Sequence, residues 1–143
     1  MQTIGIVGSR RRTTGADMGL VTQAFLSIYQ PGDRIVSGGC AAGADAFAEE
    51  LAKSIGVTIT IHYPRKGDLD AQLTKKNPRA AWAMINYARN QWIADDATAL
   101  IACVAADRKG GTEDTIRRFL ARLYGRIRNR EALATQQGRL ILV

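Results

Sequence analysis

The stretch that decides the fold is IVSGGCAAGADAFAEELA, residues 35–52. It begins as a short apolar run, passes through three glycines between Gly38 and Gly43, and continues into a segment of helical period. The apolar residues of that segment recur at spacings of three and four: Ala44, Phe47, Ala48, Leu51, Ala52 and Ile55. An apolar run, a glycine corner and an amphipathic helix stopped by Gly56 together indicate a strand-to-helix unit whose helix lies on a sheet.

The rest of the chain continues this alternation of strands and helices. Five strands are predicted, at residues 3–7, Arg34–Ser37, 57–63, 98–104 and 139–143. Strands that alternate with helical segments are typical of βαβ units and a parallel sheet. We therefore predict the α/β class, as a single Rossmann-like three-layer domain over residues 1–143. Its five-stranded sheet should be mostly parallel, with helices on both faces.

Three further helices are predicted from their apolar stripes. The stripes are Met18, Val21, Phe25 and Ile28 in the first, Ala81, Ile85, Ala88 and Trp92 in the next, and Ile116, Phe119, Leu120, Leu123 and Ile127 in the last. Asn77 and Pro78 supply a cap and a first residue for the middle one. The last helix should start near Thr112 and break at Gly125. Residues 64–77 are charged and show little period, so we expect a surface loop able to fold over a site.

Length and composition narrow the class of protein. A chain of 143 residues suits one hydrophobic core, and no apolar run approaches the roughly 20 residues that a membrane-spanning helix needs. The first residues enter a strand directly, without a basic and then apolar leader, so we expect a cytoplasmic protein. Cys40 and Cys103 are expected to be small, reduced, buried thiols without chemistry. We expect no membrane partner.

The net charge of +7 is concentrated in the last quarter of the chain. Residues 1–107 carry 11 basic and 10 acidic side chains, whereas residues 108–143 carry 9 basic and 3 acidic ones. Arg118, Arg122 and Arg126 recur every four residues along the last helix. Such a row fits either a solvated basic face or contact with single-stranded nucleic acid, although few aromatic residues accompany it for base stacking.

Ligands of open α/β sheets bind beyond the carboxyl ends of the strands, where three junctions are unusual. The first is GSRRRTTG at residues 8–15. Gly8 allows close backbone approach, Ser9 offers a hydroxyl group, and Arg10 begins a run of three guanidinium groups suited to phosphate. A solvated basic turn is the alternative for this junction.

The second junction is the glycine corner, with Ser37, Gly38, Gly39 and Gly43 before the first turn of a helix. Amides of a first helical turn lack intrahelical partners, and with the positive end of the helix dipole they bind anions. We therefore predict that a phosphate binds there. Asp45 lies in the same turn, where it could cap the helix, accept from a ribose hydroxyl group or orient Arg10.

The third junction, Lys109-Gly110-Gly111-Thr112, repeats this physics before the last helix. Thr112 is a predicted cap and hydroxyl donor, with Glu113 and Asp114 near the positive end of the helix. Two glycine-rich helix starts on one sheet edge suit a phosphodiester or a diphosphate. A simple capped loop is the alternative.

Several common site types are excluded. No G-x-G-x-x-G motif follows a strand, and no acidic residue ends the second strand, so a dinucleotide dehydrogenase site is absent from the sequence. No G-x-x-x-x-G-K-[ST] motif of a P-loop ATPase occurs either. The single histidine, His62, excludes a histidine-rich metal site and is expected to be structural. We predict no bound metal and no resident cofactor.

Four motifs resemble the SLOG superfamily of Rossmann-like proteins, and most resemble its small YspA branch. They are IVGSR at residues 6–10, SGGCAAGAD at residues 37–45, Arg89-Asn90, and KGGTEDTIR at residues 109–117. The resemblance implies a pocket for a nucleotide or nucleotide-derived small molecule, used for binding or sensing. It further implies that Arg89 and Asn90 line that pocket. It also implies a homodimer or higher homo-oligomer through the third or fourth helix, with Trp82 and Trp92 in that contact or in the core.

Two relatives within this superfamily suggest alternative functions. The LOG hydrolases cleave the N-glycosidic bond of a nucleoside 5'-monophosphate with a glutamate, whose place Thr115 occupies here, so Asp45 or Asp114 would have to act instead. The DprA-type proteins bind single-stranded DNA and carry a motif similar to residues 37–45. A nucleotide pocket, a hydrolase and a nucleic-acid module therefore remain open.

Overall fold

The computed structural model describes residues 1–73 and 77–143, without the side chains of residues 71 and 72. Five strands lie in the described part: β1 (Thr3–Gly8), β2 (Arg34–Ser37), β3 (Ile59–Ile61), β4 (Ala99–Cys103) and β5 (Leu140–Leu142). The helices there are α1 (Gly15–Ile28), α2 (Ala44–Ile55), α3 (Lys66–Leu73), α4 (Pro78–Asp96), α5 (Gly111–Tyr124) and α6 (Arg130–Gln136). None of these helices has the length and apolar character needed to cross a membrane.

The strands form one sheet in the order β3-β2-β1-β4-β5, and every neighbouring pair is parallel. This confirms the predicted α/β class and the five strands. The sheet is wholly parallel rather than mostly so. It fits a Rossmann-like three-layer domain.

Two apolar cores, one on each face of the sheet, follow from the period of two along the strands. Ile4 and Ile6 of β1 join Val21 and Phe25 of α1 on one face, where α2 also packs. Val7, the next residue of β1, packs on the other face with residues of α4, α5 and α6. The strands are therefore covered on both sides, as their continuous apolar runs require.

Local signals place the ends of the helices. Asn77 caps α4, because its side-chain oxygen accepts from the Ala80 amide at 2.8 Å, and Pro78 is the first helical residue. Gly56 ends α2 as predicted. Thr14 and Asp17 form a reciprocal capping box at the start of α1. Such caps act within a few residues, which is why the sequence located the Asn77 and Gly56 boundaries; the start of α1 was not predicted.

Two segments were predicted wrongly. Residues 64–77 were expected to be a loop, but Lys66–Leu73 form α3, while residues 74–76 of that segment lie outside the described residues. The helix Arg130–Gln136 was not predicted. Both helices are short, and α3 has no apolar stripe to mark it, so the periodicity that identifies longer helices is missing.

In three helices the buried residues also differ from the predicted apolar stripe. The buried residues of α4 are Ala81, Ile85, Asn90, Ile93 and Ala94, while Ala88 is exposed and Trp92 is half-buried. Asn90 is polar, so a prediction based on apolar residues alone does not include it in the buried face of α4. Gly125 ends α5 as predicted, so Ile127 lies beyond the helix and is 54% exposed. Ile55, at the end of α2, is exposed as well.

Candidate functional site

A cleft of about 430 Å³ opens at the carboxyl ends of β1 and β4. The sheet order places β2 and β3 on one side of β1 and β4 and β5 on the other, so the loops after β1 and β4 lead to helices on opposite faces. This is the topological switch point at which open α/β sheets bind ligands. The volume lies within the range of small-molecule sites.

Most of the predicted site residues line this cleft. Those that do are Gly8, Ser9, Arg10, Asp45, Arg89, Asn90, Gly110, Gly111 and Thr112. Residues outside its lining are Ser37, Gly38, Gly39, Gly43 and Asp114. The fold therefore brings the first and third junctions together across one cavity, whereas the glycine corner lies mostly behind its wall.

The arginines of the first junction have different environments. Arg12 turns away from the cleft and donates to Asp17 Oδ1 at 2.8 Å and to the carbonyl oxygens of Val104 and Val143 at 2.9 and 2.6 Å. It ties the loop after β1 to the neighbouring strand ends. The sequence reasoning offered three guanidinium groups to a ligand, but Arg12 has its hydrogen bonds within the protein.

Arg10 and Arg11 do line the cleft. Arg11 forms a bidentate ion pair with Asp107, at 2.7 and 3.1 Å, across the two loops. Arg10 is exposed and forms no hydrogen bond or ion pair within the described part of the chain. Burial is the main cause that lowers the pKa of Arg89, and the nearby charge of Arg10 acts in the same direction. Arg10 is thus the unpaired cation of this wall.

The glycines of the corner pack closely against protein atoms, which are backbone at Gly43 and side chains at Gly38 and Gly39. A Cβ on Gly43 would lie 2.6 Å from the Ser9 carbonyl oxygen, and one on Gly39 would lie 2.5 Å from the Tyr63 ring. A Cβ on Gly38 would lie 2.7 Å from Arg89 Nη1. The corner therefore supports the loop after β1 and holds Arg89. The glycines have a structural use there that the sequence alone does not distinguish from ligand contact.

Asp45 is 8% exposed and holds the corner from within. Its Oδ2 accepts from the Cys40 amide at 3.0 Å, and the Ser37 hydroxyl group lies 3.1 Å from its Oδ1. Burial raises the pKa of Asp45, while the Cys40 amide and the nearby Arg89 oppose that shift. Its hydrogen-bond partners do not include Arg10, so the idea that it orients Arg10 is wrong: the carboxylate turns inward to the corner amide.

Arg89 and Asn90 connect α4 to both sides of the cleft. Arg89 Nη1 donates to the Gly38 carbonyl oxygen at 2.5 Å, and its Nε donates to Asn90 Oδ1 at 3.0 Å. Burial lowers the pKa of Arg89, with Asp45 acting in the opposite direction. Asn90 Nδ2 in turn lies 3.4 Å from the Gly111 carbonyl oxygen. The pair fixes α4 between the two glycine-rich junctions.

The third junction opens the start of α5 to the cleft. The N-cap is Gly110, and no side chain caps the helix; Thr112 was predicted to cap it but lies inside the first turn. Glu113 is drawn outward by Arg108, at 2.8 Å for both of its carboxylate oxygens. Gly110, Gly111 and Thr112 line the cleft, so this helix start offers uncapped first-turn amides to it.

Asp114 is a structural carboxylate. It is 5% exposed, and its Oδ2 accepts from Asn90 Nδ2 at 3.0 Å and from Arg118 Nε at 2.7 Å. Its Oδ1 accepts from Arg117. Both oxygens therefore have partners within the protein, and the Asn90 contact joins α5 to α4. Asp114 does not line the cleft.

The basic row on α5 serves the same contact. Arg122 Nε donates to the Ala94 carbonyl oxygen at 2.7 Å and its Nη2 donates to that of Ala97, so it satisfies carbonyl groups at the end of α4. Arg118 pairs with Asp114 and also donates to Gln91. Two members of the row thus hold α4 and α5 together, which accounts for part of the positive charge in the last quarter of the chain.

Six lining residues were not predicted from the sequence: Val7, Cys40, Asn86, Tyr87, Ile93 and Thr115. Arg11 and Lys109 belong to the predicted first and third junctions and line the cleft as well. Asn86 and Ile93 lie four residues from Asn90 and Arg89 respectively, so helical period from the predicted pair points to them. His62 was expected to be structural and lies outside this cleft, with its Nε2 2.5 Å from Asp96 Oδ2. Cys40 is half-buried, Cys103 is buried, and both are free thiols.

Comparison with protein families and with curated proteins gave no match. The chain is similar to a solved structure, that of the molybdenum cofactor binding protein from the phototrophic bacterium Rippkaea orientalis. The TM-score is 0.62 at 18% sequence identity, over 99% of this chain and 88% of that one. At this identity the similarity concerns the fold, which both chains share along nearly their whole length.

Proposed function

We propose that this protein binds a nucleotide or nucleotide-derived small molecule in the cleft between β1 and β4, as a binding or sensing domain. One observation carries the proposal: the uncapped start of α5 and the unpaired Arg10 face the same cavity at the topological switch point. On the four sequence motifs, we also place the chain in the SLOG superfamily.

The charges of the cleft favour an anion. Arg10, Arg11, Arg89 and Lys109 line it, and Asp45 is the carboxylate that lines it with them. Asp45 accepts a hydrogen bond from the Cys40 amide, and Arg11 forms an ion pair with Asp107. Arg10 and Lys109 are therefore the cations available to bind a ligand. A phosphate at the start of α5 would also gain from the helix dipole.

The size and the other lining groups favour a ligand larger than a bare anion. A cavity of about 430 Å³ leaves space beyond a phosphate group. Asn86, Asn90 and Thr115 add polar side chains, whereas Ile93 and Tyr87 add apolar surface. A phosphate joined to a sugar and a ring satisfies both kinds of lining.

Isothermal titration calorimetry tests the proposal against nucleoside mono-, di- and triphosphates and ADP-ribose. The fold neighbour's title names the molybdenum cofactor, so that cofactor is included in the panel. We expect saturable binding of at least one phosphorylated member at one site per chain. A flat titration for every member would refute the proposal.

A matched pair of variants locates the site. Arg10→Gln removes the unpaired arginine of the cleft, while Arg34→Gln removes an exposed arginine at the first residue of β2, the opposite end of the sheet. A hydrogen bond to a charged group contributes about 1.5 to 3 kcal/mol, so Arg10→Gln should weaken binding about 10- to 150-fold. Arg34→Gln should leave affinity unchanged. Equal losses in both variants would indicate nonspecific charge attraction.

Hydrolysis of the N-glycosidic bond is a second candidate, because Asp45 lines the cleft and burial raises its pKa toward that of a proton donor. Chromatographic detection of free base after incubation with nucleoside monophosphates tests it, and Asp45→Asn should abolish turnover. The engaged oxygens of Asp114 argue for a structural role of that residue instead.

We also propose a homo-oligomer through α4 or α5. Trp82 and Met84 of α4 are exposed, at 42% and 40%, and offer apolar surface for a second copy. Trp92 is half-buried beneath Arg65, whose Cζ lies 4.5 Å from the ring centroid. Sedimentation equilibrium measures the state, and Trp82→Glu should shift it toward the monomer. A monomer at every concentration would refute this proposal.

A further inference from the structure

The geometry points to Tyr87 as the platform on which a flat heteroaromatic ring of the ligand stacks. Tyr87 lines the cleft and is 46% exposed. An aromatic side chain with an open surface in a polar cleft offers a π-face to such a ring. The inference rests on the proposed function and adds the determinant that selects a ring-bearing ligand over a plain sugar phosphate.

The Tyr87 ring is held in place by a neighbouring arginine of α5. Arg118 Cζ lies 5.6 Å from the ring centroid, within the range of a cation–π contact. Arg118 is itself fixed, because its Nε donates to Asp114 Oδ2 at 2.7 Å and its Nη1 donates to Gln91 Oε1 at 3.0 Å. The ring is therefore positioned before any ligand binds, which reduces the entropic cost of stacking.

The position of Tyr87 along α4 suits a ligand that is anchored at one end by its phosphate. Since α4 leads back to the amino end of β4, its earlier residues lie nearer the carboxyl edge of the sheet and the mouth of the cleft. Asn90 lies beside Gly111, and Tyr87 precedes it by three residues, about 4.5 Å along the helix axis. If the phosphate binds at the start of α5, the ring at the other end of the ligand therefore lies near Tyr87.

A second aromatic residue on the same helix provides a comparison. Trp82 is 42% exposed, yet it is not among the residues that line the cleft. Exposure alone therefore does not distinguish the two residues, whereas their placement does. Trp82 is the matched control for an effect of Tyr87 on ligand binding.

The shared chemistry of the expected ring is that of a flat, nitrogen-containing heteroaromatic system, found in both nucleobases and pterins. Stacking tolerates any such ring because it depends on the π-face rather than on a hydrogen-bond pattern. Calorimetry with AMP, GMP, a phosphorylated pterin and ribose 5-phosphate separates these sources. The sugar phosphate keeps the anionic end and lacks the ring.

Stacking contributes about 1 to 3 kcal/mol, so Tyr87→Leu should weaken binding of the preferred ring-bearing ligand about 5- to 150-fold. The same variant should change the affinity for ribose 5-phosphate by less than twofold. Tyr87→Phe should retain affinity, and Trp82→Leu should leave it unchanged. Circular dichroism checks that each variant is folded.

The outcomes separate the two proposals. If ribose 5-phosphate and the ring-bearing ligands bind equally, and Tyr87→Leu changes neither, the platform is refuted while the phosphate site stands. If no member of the set binds, the proposed function and the platform fall together. If the pterin binds more tightly than the nucleotides and loses affinity in Tyr87→Leu, the platform stands and its ligand is a pterin.

Discussion

The glycines that begin α2 and α5 share a backbone conformation but differ in their surroundings. Gly43 has φ 76° and ψ −151°, and Gly110 has φ 114° and ψ −166°, a region that is essentially restricted to glycine. A Cβ on Gly43 would lie 2.6 Å from the Ser9 carbonyl oxygen, whereas one on Gly110 would have no described atom within 4 Å beyond its chain neighbours. Alanine at the two positions therefore separates backbone strain from steric contact.

The structure sets the expected magnitudes. Strain in this backbone region costs about 1 to 3 kcal/mol, which is the whole effect expected for Gly110→Ala. Gly43→Ala adds about 1 to 3 kcal/mol for displacing a backbone atom, giving about 2 to 6 kcal/mol in all. The Ser9 carbonyl oxygen also accepts from the Arg12 amide at 3.1 Å, so it cannot move without loosening that turn.

Urea denaturation followed by circular dichroism measures both free energies of unfolding. We expect Gly43→Ala to lose more stability than Gly110→Ala by the contact contribution. Because domains of this kind are stable by about 5 to 15 kcal/mol, Gly110→Ala should still fold. A Gly43→Ala chain that is already unfolded without urea would also show the larger loss. A Gly43→Ala variant as stable as Gly110→Ala would refute the conclusion that the corner is closed by protein atoms.

Three further predictions concern charged side chains. Arg122→Ala should lower the free energy of unfolding by about 1 to 3 kcal/mol in urea denaturation, because two carbonyl groups at the end of α4 lose their donor; unchanged stability would contradict this. Arg12→Met should destabilise by a similar amount in the same assay, because it leaves two strand-end carbonyl groups without that donor. Since burial raises the pKa of Asp45 above 3.8, its contribution to stability is full below that value and is lost as pH rises through the folded-state pKa. Wild type should therefore lose stability relative to Asp45→Asn as the pH rises above 3.8, and parallel curves would contradict this.

The helices and strands that the sequence located are those with strong local signals. The stripe of α2, the Asn77-Pro78 start of α4 and the apolar runs of the inner strands each lie within one short segment. α3 lacks such a signal, and its charged residues carry no stripe. Asn90 lies on the buried face of α4 because its side-chain amide donates to Gly111 and Asp114 of α5, contacts that no local pattern in α4 predicts.

The sequence predicted where the candidate site lies better than it predicted which contacts its residues make. Strand-to-helix junctions of a parallel sheet meet at one edge, so Gly8, Arg10 and Gly111 were predictable neighbours. The partners of Arg12 at Val104 and Val143 were not, because they lie 92 and 131 residues away along the chain. Nor did any local pattern mark Tyr87, which became part of the site through its place on α4.

By itself the sequence determined the fold class, the parallel sheet and the edge at which the cleft lies, because hydrophobic period and turn chemistry act over a few residues. Only the tertiary structure decided which arginine is unpaired, which glycines are closed by neighbours and which aromatic side chain faces the cleft. Those properties depend on contacts between α4, α5 and the loop after β1, segments distant in sequence. The sequence supplies the charged, polar and aromatic side chains of this cleft. Long-range packing decides which of them are free to contact a ligand.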